Sequence, residues 1–197
     1  MSEEKKIIPY KVQKGNRPAI EEVIGACLDG DLKETAMDFA LWMRENKMPF
    51  KLNTSTTRSQ RADYKGERIC HIIVYDDEVD FNHVDKHNPG DPQYWSVSPC
   101  LWHWEKYEGY IVDERWQNIF WDNVRYCNNC SSKGRDAGKI PPQPCAGGVC
   151  KNFFGKDFNG LCKHSTPAFT TIPNPDETTV NAVKNLLGLE KEVRDNL

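Results

Sequence analysis

Five of the eight cysteines fall in the last third of this 197-residue chain, as Cys127-Asn-Asn-Cys130, then Cys145-Ala-Gly-Gly-Val-Cys150, then Cys162. Four thiolates gathered from short turns are what a tetrahedral metal needs. A pair with two intervening residues lets one turn aim both sulfurs at a single ion about 2.3 Å away. A bound metal is therefore the reading that this segment imposes. The other use of paired cysteines, a disulfide framework, requires an oxidising compartment. The N-terminus reads Met-Ser-Glu-Glu-Lys-Lys-Ile-Ile-Pro-Tyr, which has no signal-peptide h-region. No stretch approaches the roughly 20 apolar residues of a membrane span. These features lead to the expectation of a cytoplasmic protein with no membrane partner and with its thiols kept reduced.

Hydrophobic content of 38% with 28% charged residues is that of a globular chain able to bury a core. A net charge of -3 gives no general pull toward nucleic acid, but the charge is unevenly placed. Asp76, Asp77, Glu78, Asp80, Asp85 and Asp91 face Lys86 alone, which reads as an acidic surface loop. The cysteine region is mildly basic, with Lys133, Arg135, Lys139, Lys151, Lys156 and Lys163 against Asp136 and Asp157.

Ile20, Val23, Ile24 and Cys27 recur at helical spacing after Asn16-Arg17-Pro18, and the helix should stop near Gly30. Asp31-x-x-Glu34 resembles a capping box that opens a second helix, whose apolar face is Leu32, Ala36, Phe39, Ala40 and Met43 and which Pro49 ends. Cys27 lies on the apolar face of this hairpin and reads as a core filler. From Phe50 the period changes to strands over Lys51 to Thr57, Ser59 to Tyr64 and Glu67 to Tyr75, with a turn at Lys65-Gly66. The third is apolar on both faces and so central. Asn88-Pro89-Gly90-Asp91-Pro92 closes the acidic loop, and Tyr94 to Ser98 reads as a further strand. Trp116, Ile119, Phe120 and Val124 share a helical face, which predicts a packing helix over 113–125 that delivers Cys127 just beyond its end. The last helix has Asn174 as its cap, Pro175 in its first turn and Val180, Val183, Leu186 and Leu187 as its apolar face. It runs over 175–187, and the last nine residues should fray.

Spacing leaves the fourth ligand open. Cys145 and Cys150 would complete a four-cysteine site, or Cys145 and Cys162 could bracket a hairpin with Gly155 at its turn and Asn159-Gly160 turning the chain back to Cys162. The stretch Phe154-Gly155-Lys156-Asp157-Phe158-Asn159-Gly160-Leu161-Cys162 resembles a group of small uncharacterised bacterial cytosolic proteins, as do Trp121-Asp122-Asn123-Val124 before Cys127-x-x-Cys130, Asn174-Pro175-Asp176, Tyr64-Lys65-Gly66 and the Ile69-Cys70 strand start. The likeness runs over roughly residues 35–187, and this chain has a longer insert at 131–144. The resemblance implies Cys127, Cys130, Cys145 and Cys162 as the four ligands, with Cys150 as an extra, and it carries no activity.

Zinc suits a closed sulfur site, while an iron or iron–sulfur centre would use the same cysteines. Lesser candidates are weaker. His83-x-x-x-His87 adjoins a loop signal, Cys100-x-x-His103 lies in an aromatic run, and Cys162-x-His164 would replace a sulfur by a nitrogen. Asp76-x-Glu78-x-Asp80-x-Asn82 lacks the glycine and distal glutamate of a calcium loop. No phosphate loop, nucleophile elbow or metalloprotease helix is present. Five of the six tryptophans lie between residues 95 and 121 and read mainly as core. Trp102-His103-Trp104, with Tyr107 and Tyr110, could also line a pocket for a flat or cationic ligand.

The expectation is thus an α+β chain. An α+β core over 1–125 holds the helical hairpin at 16–47, a three- to four-stranded antiparallel sheet at 50–98 and the packing helix. A Cys-rich zinc lobe over 126–197 follows. The leading function is a zinc-binding, non-catalytic accessory or interaction module with a protein or small-molecule partner. The alternatives are a small-molecule-binding domain or enzyme using the aromatic cleft, and a nucleic-acid-binding zinc module, which the overall acidity disfavours.

Overall fold

The computed structural model describes residues 16–52, 59–75, 94–110, 114–126, 148–161 and 170–197. Helices α1 (Ile20–Cys27) and α2 (Gly30–Glu45) form the expected hairpin. Ile20, Val23, Ile24 and Cys27 are buried on α1, and Ala36, Phe39, Ala40 and Met43 on α2. The capping differs from expectation: α2 starts a residue before Asp31, after Asp29, because Gly30 at φ 52 turns the chain directly into the helix. Arg44 clamps the two helices by an ion pair to Glu21 at 2.7 Å.

The strands are β1 (Phe50–Leu52), β2 (Ser59–Tyr64), β3 (Glu67–Val74), β4 (Trp95–Pro99) and β7 (Ile172–Pro173), and together they form one antiparallel sheet in the order β1-β2-β3-β4-β7. β3 is central, as expected. The fifth strand comes from beyond the cysteine region, where a two-residue strand carries no period in the sequence. The part of the predicted strand over residues 53–57 and the acidic loop lie outside the described residues. Lys65 and Gly66 join β2 to β3 with both φ positive, 50 and 83, the backbone that a two-residue hairpin requires.

Register sorts the sheet into two unlike faces. Leu52, Gln60, Ile72, Val97 and Ile172 stand in one rung, and Phe50, Ala62, Cys70 and Pro99 in another. Their side chains share a face. That face meets the helices, since the Phe50 ring lies 6.0 Å from that of Phe39 and Gln60 donates to the carbonyl of Pro18. The rung between them, Lys51, Arg61, His71 and Ser98, points the other way. Polar residues of β1, β2 and β4 dominate that second face, to which β3 contributes His71 and Ile73.

Helix α3 (Glu114–Asp122) leads to a second, two-stranded sheet of β5 (Val149–Phe153) and β6 (Lys156–Leu161). Phe154 and Gly155 make its turn at φ 52 and 78, and the Asn152 side chain accepts from the Gly155 N–H at 3.1 Å. The hairpin packs through aromatics. Phe153 sits 4.9 Å from both Trp104 and Phe120, Phe154 sits 5.3 Å from Phe120, and Trp121 Nε1 donates to the Phe153 carbonyl at 2.8 Å. These rings belong to the same buried cluster as Phe39, Trp95 and Leu187, so the described parts of the chain on either side of residue 126 share one core.

Asn159-Gly160 does not turn the chain back. Val149 pairs with Leu161 and Lys151 with Phe158, so Asn159 and Gly160 together oppose Cys150 in a bulge, with Gly160 at φ 76. The last helix, α4 (Glu177–Asp195), is capped by Asp176, which accepts from the Thr179 N–H at 2.8 Å. Asn174 instead lends its side-chain carbonyl to the N–H groups of Tyr94 and Trp95, at 2.8 and 3.1 Å, and so extends the sheet past β7. Residues 188–195 stay helical and do not fray.

Phe153→Ala should cost about 3–5 kcal/mol, because the rings around it cannot close the space it leaves. Urea unfolding followed by far-UV circular dichroism and by tryptophan fluorescence is expected to give coincident single transitions. Two separated transitions would contradict a shared core.

Candidate metal centre and the buried carboxylate hub

Leu161 is paired on both sides. Val149 faces it from β5, and Tyr126, just past α3, faces it in an isolated antiparallel bridge. Neighbouring strands lie about 4.8 Å apart, so Tyr126, Leu161 and Val149 form one short rung. Each member immediately precedes a cysteine: Cys127, Cys162 and Cys150. Cys130 follows Tyr126 by four residues and Cys145 precedes Val149 by four. The described residues that directly precede Cys127, Cys150 and Cys162 in the chain therefore stand side by side.

The rung is anchored on the main sheet. Val124 bridges Thr170, and the Thr171 N–H donates to the Asn123 carbonyl at 3.1 Å before the chain enters β7. Leu161 is fully buried. Cys127, Cys130, Cys145, Cys162 and His164 lie outside the described residues, as do His83, His87 and the acidic run 76–91. Cys150 is described, and it is exposed on β5. Among the described residues no group of three metal-binding side chains converges.

The described structure separates the aromatic candidates. Trp104 is buried in the aromatic cluster. Trp102 is 43% exposed and donates through Nε1 to the Arg68 carbonyl at 3.0 Å. His103 turns inward to Glu190. A groove of about 350 Å³ lies nearby, lined by Lys106, Tyr107, Leu189, Val193 and Leu197, and another of about 630 Å³ lies between α2 and α4; Trp102, His103 and Trp104 line neither. Cys100 is buried, and burial pushes its thiol up to about 12 despite Arg68 and Arg194, so it stays protonated as a core residue. Of the basic residues in the cysteine region, Lys156 stacks over the Trp121 ring at 5.0 Å, which engages it within the fold.

What the sequence did not reveal is Glu190. It lies on the buried stripe of α4 with Val180, Val183, Leu187 and Arg194, and its side chain is 0% exposed. Its Oε2 accepts from the His103 N–H and the Tyr107 hydroxyl, both at 3.0 Å, while Oε1 accepts from Arg194 Nε and lies 2.9 Å from His103 Nδ1. A carboxylate can only accept, so Nδ1 carries the proton of the His103 ring. Burial would raise the Glu190 pKa. The hydrogen bonds from the His103 side chain and backbone and the Arg194 guanidinium outweigh it and hold the carboxyl below its ordinary value. Arg194 also donates to the carbonyls of Tyr64, Glu67 and Arg68. The spacing Glu190-x-x-x-Arg194 on a helix was the one available signal, and it reads equally well as a solvated surface pair.

No family model matches the chain, and no curated protein or solved structure is similar to it. The fold is α+β with an antiparallel sheet, and no helix among the described residues is long and apolar enough to cross a membrane.

Glu190 supports the fold above the ordinary glutamate value of 4.5 and loses that support as the pH falls through its lower folded value. Glu190→Gln leaves the buried Arg194 with only the exposed Glu67 carboxylate, at 4.0 Å, as counter-charge and should cost about 3–5 kcal/mol at neutral pH. It should also flatten the acid limb of stability in urea titrations stepped through that range. An acid limb as steep as in the parent chain would contradict an ionised hub.

Proposed function

We propose that the chain is a zinc-binding protein in which Cys127, Cys130, Cys145 and Cys162 hold one ion in a closed, structural site, and that it acts as a non-catalytic accessory or interaction module. The rung Tyr126–Leu161–Val149 supports this reading, because the residues that directly precede Cys127, Cys162 and Cys150 pair with one another on the core. Resemblance to the small bacterial cytosolic group favours Cys162, and we propose membership of that group on the same residues.

A bound zinc would supply cross-linking of three chain segments, and four thiolates leave no position for a substrate. Histidine and glutamate chemistry at the hub supports an enzyme less well. The four hydrogen bonds to Glu190, from His103, Tyr107 and Arg194, fill its lone pairs.

Purified protein is expected to carry one colourless zinc per chain by plasma emission spectrometry, lost in Cys127→Ser and in Cys162→Ser and kept in Cys150→Ser. Chelation should lower the thermal transition of the parent chain and leave that of Cys127→Ser unmoved. A coloured chromophore, or full zinc in Cys127→Ser, would contradict the proposal.

A further inference from the structure

The face of the sheet turned away from the helices is buried in part and polar. Lys51, Arg61, His71 and Ser98 cross four strands in one rung, and Ser98 Oγ continues it by meeting Thr171 Oγ1 at 2.9 Å. The next rung on that face is Ser59, Ile73 and Ser96. A buried polar surface of this kind needs a partner for each donor. Some donors have one. Arg61 forks onto both oxygens of Asp63, at 2.6 and 2.8 Å.

Two donors are left over among the described residues. Arg68 stands opposite Asp63 in register, but both oxygens of that carboxylate already hold Arg61, and Arg68 Nε is buried with no acceptor among the described residues. Ser96 is 0% exposed, and its hydroxyl has no partner among the described residues either. Within the Ser98–Thr171 pair one hydroxyl donates to the other, which leaves the acceptor's own hydrogen free to point elsewhere. Among the described residues the charges that act on His71 are mostly of one sign, Arg61, Arg68 and Arg125 against Asp63, and Lys51 stands in the same rung. Burial, then the charges of Arg68 and Arg61, hold His71 down to about 4, so its imidazole is neutral and offers one N–H.

We propose that this face binds a small oxyanion, the phosphate or carboxylate group of a ligand, with the Arg68 guanidinium as its fork and the Ser98–Thr171 hydroxyls and His71 as further donors. A guanidinium with a buried, unpaired Nε in a field of other cations is matched by a planar or tetrahedral anion, which satisfies two donors at once. A cation is opposed by the same field. The inference is independent of the metal site, since none of its residues is a cysteine or belongs to the Leu161 rung.

The test is a titration of the full-length ¹⁵N-labelled chain with inorganic phosphate and, separately, with acetate, following the His71 ring resonances and the Arg68 Nε–Hε signal. Saturable shifts with either anion are expected. Phosphate alone would mark a phosphoryl ligand, acetate alone a carboxylate. Arg68→Gln should weaken binding roughly tenfold or more. Lys47→Gln, in an exposed turn after α2, should leave it unchanged. Should Arg68→Gln fail to fold, Ser98→Ala is expected to weaken binding severalfold and decides the matter. Shifts that rise linearly without saturation for both anions, or equal weakening by Lys47→Gln, would overturn the proposal.

Discussion

The Glu190 carboxylate is the interaction on which the rest of the described structure depends. A fully buried ion is tolerated only when its lone pairs are filled and its charge is met. Here the donors that meet it come from the segment after β4 and from its own helix. Arg194 then reaches three carbonyls at the β2–β3 turn, where Tyr64 and Lys65 also hold Asp195. One ionised group thus fixes the end of α4, the turn of the central hairpin and the start of the aromatic segment. Trp104, one residue past His103, is placed by the same contacts against Phe153, and through it against the second hairpin.

From that hairpin the order passes to the Leu161 rung. Leu161 is fully buried and paired on both edges, so the chain segments that lead to Cys127, to Cys162 and past Cys150 start from fixed points. A metal site needs its ligands brought near before the ion binds, because the ordering of each loop opposes binding. A core that already holds the loop bases reduces this cost. The physical logic joins the two centres: the carboxylate hub orders the aromatic cluster, and the cluster seats the hairpin from which two of the cysteine segments spring.

Much of this was legible in the sequence where local chemistry decides structure. Lys65-Gly66 and Gly155 marked hairpin turns because positive φ is required there, and the 3.6-residue period of Ile20, Val23, Ile24 and Cys27 matched a helix that buries that face. Legibility failed where tertiary contact reverses a local signal. Asn174 has the form of a helix cap, but its side chain is engaged by the amides of Tyr94 and Trp95, some eighty residues away, and Asp176 caps instead. Glu190 and Arg194 lie among the last nine residues, expected to fray beyond the helix, and are among its most buried residues. Asn159-Gly160 has the composition of a turn and serves as a bulge, because β6 continues to pair on both sides of it. The alternation Ser96-Val97-Ser98 could have announced the polar face of the sheet, but its meaning depends on Arg61 and His71 standing in register. Cys127, Cys130, Cys145 and Cys162 were found from spacing and resemblance, and they lie outside the described residues.

The central claim is that these four thiolates close around one zinc ion. X-ray absorption at the zinc edge of the purified chain tests it most directly, because the method counts and identifies the atoms bound to the metal. The account predicts a single shell of four sulfur scatterers at about 2.3 Å. A shell containing nitrogen or oxygen, or fewer than four sulfurs, would contradict it.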